Sequence, residues 1–262
     1  MLPALIHRVA FASLCLCLLS AQAVTQAPWF EYDLVAIQKR APAFTQGLEF
    51  YQGDLIHSSG LVGQSFIERL PHPDNSQTEP HWRLGLSAPI FAEGSSVFKG
   101  NVYLLSWRHN TGWRLNPKTG QVLDQFRYQG QGWGLTHNDT HLIRSDGSEH
   151  LYFHRAPDFE LDSTLTVSRN GQPLRKLNEL EFAEGYIWAN IWQTNTIVAI
   201  APTTGEVVGQ LDLSRLVPKE AYKDPDNVLN GIAYDASTGH YWLTGKRWQH
   251  WYRIDINLPE VM

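Results

Sequence analysis

Cysteine is almost missing from this chain. Its 262 residues include two, Cys15 and Cys17, and both fall in a stretch that reads as a cleavable export leader. His7-Arg8 is the basic end of that stretch, Val9 to Leu19 an apolar run too short to cross a bilayer, and Ala21-Gln22-Ala23 a small-residue cleavage site. Residues 1–23 are therefore expected to be a signal peptide and residues 24–262 a single mature domain. That domain would carry no thiol, which excludes a disulfide, a thiolate nucleophile and cysteine-ligated zinc. Leu14 and Leu16 precede the cysteines, which is no lipobox, so no lipid anchor is expected. The expected location is outside the cytoplasm, periplasmic or secreted. A surplus of positive charge is missing too: the formal charge is −5, and −6 once Arg8 leaves with the leader. Nothing in it points to nucleic acid or an anionic membrane as partner. Gly-x-Ser-x-Gly, P-loop and dinucleotide fingerprints are absent.

Aromatic residues and an internal repeat are what the chain does have. Ten Trp, ten Tyr and eleven Phe suit strands packed face to face and a walled pocket. A phrase of about 15 residues, strand–turn–strand, recurs five times. Its first position reads Gln46, Glu93, Trp133, Asn178 and Asn230, at spacings of 47, 40, 45 and 52 residues; its last reads Gly60, Trp107, Gly147, Trp192 and Lys246. A period near 45 residues with several short strands predicts an all-β fold, a five-bladed β-propeller. One blade cannot cover both faces of its own sheet, so the unit must recur around an axis. Equivalent residues then converge at one mouth of a central channel, bringing together one carboxylate, one lysine, side-chain amides and indoles.

Phe30–Ile37 alternates as a strand and precedes the first repeat, while the last repeat lacks a fourth strand. The N-terminal strand is expected to complete the last blade against Trp251–Ile256, closing the ring and removing two sheet edges. Asn116–Gly120 and Ala201–Gly205 match each other as hairpin turns, and Pro218–Asp226 is a polar excursion of short helix or loop at one mouth. Asn230 is read as a cap of turn or strand end. His150 and His154 share a strand face but lack a third ligand and are expected to be surface histidines. Asn138-Asp139-Thr140 is a glycosylation acceptor that matters only in a eukaryotic secretory pathway.

Phe44-Thr45-Gln46-Gly47-Leu48, Gly132-Trp133-Gly134-Leu135, Leu177-Asn178-Glu179-Leu180-Glu181, Ile187–Trp192, Asn227–Tyr234 and Thr244-Gly245-Lys246 together resemble the plant and bacterial glutaminyl-peptide cyclotransferases, over roughly Phe30 to Ile256. The resemblance implies a five-bladed propeller that cyclises the N-terminal glutamine of a peptide or protein to pyroglutamate and releases ammonia. It implies no metal and no cofactor, and the chain is expected to act as a monomer. The family's site residues fall on Phe44, Gln46, Phe91, Glu93, Trp107, Trp133, Asn178, Trp192 and Lys246. One departure is visible: Ala92 and Ser95 flank Glu93-Gly94 where the family has glycine and leucine.

The chemistry such residues suit is intramolecular. Phe44, Phe91, Trp107, Trp133, Asn178 and Trp192 would bind a folded-back glutaminyl side chain. Glu93 would move the proton, with Gln46 and Lys246 as its catalytic partners, and Lys246 or an amide would serve the oxyanion. Two other readings stand beside this one: a different propeller enzyme, such as a lactonase or lyase, and a catalytically silent propeller that binds peptides.

Overall fold

The computed structural model describes residues 26–258, so the expected leader lies outside the described residues. Five four-stranded antiparallel sheets follow one another along the chain. Blade I comprises Thr45–Tyr51, Asp54–Ser59, Phe66–Leu70 and Trp82–Gly85. Blade II comprises Ala92–Phe98, Asn101–Ser106, Thr111–Leu115 and Val122–Arg127. Blade III comprises Leu135–His137, Leu142–Ser145, His150–Arg155 and Glu160–Thr166. Blade IV comprises Leu177–Ala183, Tyr186–Ile191, Thr196–Ile200 and Val207–Asp212.

Blade V has Leu229–Asp235, His240–Gly245 and His250–Asn257, and its outer strand is the N-terminal Glu31–Lys39. The pairing runs from Glu31 opposite Asn257 to Lys39 opposite His250, with a bulge between Leu34 and Ala36. The ring is closed as the repeat predicts. Just past this strand, one terminal nitrogen of Arg40 donates to Thr45 and Thr244 Oγ1, each at 3.0 Å. The closing strand is thereby tied to the inner strands of blades I and V.

The two inner strands of each blade are largely buried, and blade IV's Tyr186–Ile191 reads as a nearly continuous apolar run. Outer strands such as Glu160–Thr166 are largely exposed. Aromatics pack blade on blade at several seams: Trp188 of blade IV meets Tyr241 of blade V at 5.3 Å, and Phe126 of blade II stacks at 4.4 Å on Phe159, in the loop of blade III. The two matched hairpin turns form as expected, with Gly120 N–H on Asn116 O and Gly205 N–H on Ala201 O, both 2.9 Å. Gly120 is required twice, by φ of +70° and because a Cβ there would overlap the Trp82 ring. The polar excursion holds one 3-10 turn, Lys219–Lys223, and a second, Ser214–Leu216, stands just before it. A short ribbon, Ser168–Arg169 with Gln172–Pro173, is an addition the periodicity did not announce.

The histidine pair needs a correction. His154 is buried, stacked on Phe159 at 4.0 Å, while His150 is half-buried. Among the described residues, no three of His, Cys, Asp and Glu are grouped to hold a metal ion.

Candidate active site

The site begins with a bulge. In blades I, II, IV and V the register of the innermost pair slips at the first repeat position, between Thr45 and Gly47, Ala92 and Ser95, Leu177 and Leu180, and Leu229 and Ile232. A bulge re-aims the side chain it carries, and here it releases Gln46, Glu93 and Asn178 toward the mouth. The next position reads Gly47, Gly94, Gly134, Glu179 and Gly231. Strands approach so closely there that a Cβ on Gly94 would overlap the Gly134–Leu135 backbone, and one on Gly134 the backbone of Asn178. Only the fourth blade has a side chain, and it plugs the axis. Glu179 accepts from Leu48 N–H of blade I at 3.1 Å and from Ile232 N–H of blade V at 2.8 Å. Glu49 and Glu181 are buried one layer deeper, on Val97 N–H and Tyr234 N–H at 3.0 Å each. The axis is thus richer in carboxylates than the first repeat position alone suggests. Burial raises the pKa of all three.

Above this floor lies a cavity of about 260 Å³ lined by Phe44, Gln46, Phe91, Glu93, Trp107, Trp133, Asn178, Trp192 and Lys246, with Leu61 and Asp226. All nine candidates therefore line one pocket. Three of the ten repeat positions do not, for a physical reason in each case. Gly60 makes room for the Phe91 ring and Gly147 for the Trp133 ring, since a Cβ at either would overlap it. Asn230 donates to Thr45 O at 2.9 Å and to Gln46 Oε1 at 3.3 Å, tying blade V to blade I rather than capping a turn or strand end.

The wall is a continuous arc. Phe44 meets Phe91 edge-on at 6.0 Å, Phe91 meets Trp107 at 5.6 Å, and Trp133 meets Trp192 edge-on at 5.5 Å. Gln131 fills the gap: its Oε1 accepts from Trp107 Nε1 at 2.7 Å and from Trp133 Nε1 at 3.0 Å. Beside the arc stands the Lys246 ammonium, 5.0 Å from the centre of the Phe44 ring.

Glu93 is buried in this arc, and among the described residues no group donates a hydrogen bond to its carboxyl. Its pKa is held well above the usual carboxylate range, first by burial, against the opposing pull of Lys246. Lys246 is lowered by burial and held up by Glu93 and then Asp226. The two form no ion pair within 4.0 Å, yet each is the main charge acting on the other. The backbone of Glu93 is pinned where Ala92 and Ser95 stand: its carbonyl accepts from Ser58 Oγ at 2.6 Å, and Ser95 Oγ lies 3.4 Å from Ser58 Oγ. A hydroxyl pair thus occupies the place of the family's apolar residue, beside a carbonyl it helps to hold.

A larger cavity, about 430 Å³, lies beside Trp251 and the loop of residues 71–80. Its buried carboxylate is already committed, Glu68 being bound to His57 at 2.8 Å and to Arg83 at 2.6 Å, while Lys39 and Glu79 on its lining are exposed. It has no uncommitted group comparable to Glu93.

The fold and the site together define a five-bladed propeller whose axial mouth holds one buried carboxyl, one ammonium, two amides and an aromatic arc. The family model described as "Glutamine cyclotransferase" matches residues 8–256, and the chain belongs to that family. It is 32% identical over 232 residues to a glutaminyl-peptide cyclotransferase of Arabidopsis thaliana, covering 86% of this chain and 71% of the relative. The crystal structure of Myxococcus xanthus glutaminyl cyclase superposes with a TM-score of 0.80 at 34% identity, over 89% of this chain and all of that one.

Leu61, Asp226 and Gln131 are the site residues the sequence reading missed. Gln131 had a signal: it stands two residues before the first repeat position, the column that also holds Phe44 and Phe91.

Proposed function

We propose that this chain cyclises the N-terminal glutamine of peptides or proteins to pyroglutamate, with Glu93 as the proton carrier. The observation that carries the proposal is a single buried carboxyl, its pKa raised toward the working range, facing an aromatic pocket with amides and an ammonium at its edge. Trp107, Trp133, Trp192 and Phe91 hold the glutaminyl side chain folded back on its own amine. Gln46 and Asn178 supply donors and acceptors for the amine and the carboxamide. The free α-amine attacks Cδ, and the carbonyl π pair moves to oxygen. That oxyanion is met by Lys246 or an amide N–H. Glu93 takes the proton the nitrogen sheds and returns it to the departing amino group. The C–N bond to that group breaks, the carbonyl re-forms, and ammonia and a lactam leave in equal amounts.

A carboxyl with an ordinary pKa would be a poor acid for the second half of this exchange at neutral pH, and raising it serves both directions. The expected leader and the acidic charge balance fit an exported enzyme meeting peptide substrates outside the cytoplasm. The test is incubation with a glutamine-initiated dipeptide in the presence of a chelator. Ammonia and lactam are expected in equal amounts from wild type, with both falling by about 10²–10⁴-fold in Glu93→Gln. Binding without ammonia would instead favour the silent peptide-binding propeller, and loss of turnover on chelation a metal-dependent enzyme.

A further inference from the structure

We propose that Gln131 is a positioning residue for the reaction, its side-chain carbonyl fixing Trp107 and Trp133 from a backbone held by a buried Arg144–His154 relay. The repeat isolates the position. Two residues before the first repeat position, the five blades read Phe44, Phe91, Gln131, Lys176 and Val228. In four blades the carbonyl at this point accepts from the N–H of the last repeat position: Gly60 on Phe44 at 2.9 Å, Trp107 on Phe91 at 3.0 Å, Trp192 on Lys176 at 2.9 Å and Lys246 on Val228 at 2.9 Å. In blade III the Gln131 carbonyl accepts from the Arg144 guanidinium, whose other terminal nitrogen reaches Gln129 O at 3.3 Å. An arginine has taken over the task that the ladder performs elsewhere.

Arg144 is itself oriented. Its Nε–H donates to His154 Nε2 at 3.3 Å, and His154 Nδ1–H donates to Phe159 O at 3.0 Å. Acceptance at Nε2 needs a neutral imidazole with its proton on Nδ1, and burial followed by the charge of Arg144 pushes the His154 pKa down to about 3. The guanidinium lies 4.3 Å from the Tyr152 ring centre. Among the described residues no carboxylate forms an ion pair with it, so its donors are spent on neutral acceptors. The planar fork acts here through direction rather than through charge neutralisation.

At the other end, Gln131 Oε1 uses two lone pairs on two indoles that belong to different blades. The backbones also meet, with Gly132 N–H donating to Trp107 O at 3.1 Å, but among the described residues no other side-chain hydrogen bond links the two indoles. Without this acceptor each indole N–H needs another partner, and the rings lose the angle at which they face the pocket.

The inference rests on the proposed cyclisation for its kinetic readout, and a second readout does not depend on turnover. Gln131→Met removes the acceptor at similar volume, and Gln131→Glu retains it. With a glutamine-initiated dipeptide, Gln131→Met should lose about tenfold in kcat/KM, mostly in kcat, the scale of one hydrogen bond that orients a reacting group. Gln131→Glu should restore most of that loss. Arg144→Met should lower kcat in the same sense, because the carbonyl strut is gone while Oε1 remains. In spectra of the protein labelled at its tryptophans, two indole N–H signals should lose protection from exchange in Gln131→Met and keep it in Gln131→Glu. The proposal is overturned if Gln131→Met keeps both its kcat and its protected indoles, or if Gln131→Glu is as impaired as Gln131→Met. If wild type released no ammonia, the function would fall while the indole measurement still decided the role of Gln131.

Discussion

A carboxyl with no donor beside it and indoles in front of it is most stable neutral, and Glu93 is such a group. Between about pH 4.5, its ordinary value, and its raised folded pKa, the folded chain keeps a proton here that the unfolded chain has lost. Stability therefore falls as pH rises through that interval. Glu93→Gln removes the penalty, so at neutral pH the variant should melt at or above wild type while turnover falls by about 10²–10⁴-fold. Calorimetry beside an ammonia assay checks both halves. Lys246 pulls the Glu93 pKa down, so Lys246→Met should move the acid limb of the kcat/KM profile to higher pH as well as slow the reaction. Trp192 meets Trp133 edge to face. Trp192→Ala should raise KM and lower kcat together, a pattern steady-state kinetics separates from that of Glu93→Gln. Residues of this kind were legible because one column of a repeat must converge on one axis. Leu61 and Asp226 were not, because periodicity reports the strand a residue stands on and is silent about the loop that reaches over the mouth.

At the scale of the strand, the bulge decides more than the pairing does. The five strand–turn–strand units could be read from the sequence, but the register slip at the head of four of them could not. Its trace was present as a column of four glycines and Glu179, whose meaning depends on how closely the inner strands approach. Glu179 joins blade IV to blades I and V by accepting two backbone N–H groups. Glu179→Gln replaces one acceptor oxygen with an N–H₂ aimed at an N–H. It should cost about 1–3 kcal/mol, the penalty for a buried donor left without a partner. A thermal or denaturant melt at fixed pH would show it. The His154 expectation failed for a related reason: strand alternation places a side chain on a face, but the Phe159 ring that covers that face comes from the following loop.

For the whole molecule, the ring is held shut by Glu31–Lys39. Deleting that strand leaves His250–Asn257 as a bare edge and removes Arg40's approach to Thr45 and Thr244 if the cut extends one residue further. Such a chain should aggregate or fold only partly, which light scattering and circular dichroism would report. The same closure sets an order of events in time. The first strand made has its partner in the last, more than 200 positions later, so a chain emerging from its N-terminus cannot complete a blade with it until synthesis is nearly done. Throughout that wait Leu34, Val35 and Ile37, still largely exposed in the finished fold, stand on an unpaired strand able to join any open sheet edge it meets. The seam that gives the mature propeller its permanence is therefore the last contact to form, and the interval before it forms is when a holding chaperone would matter most.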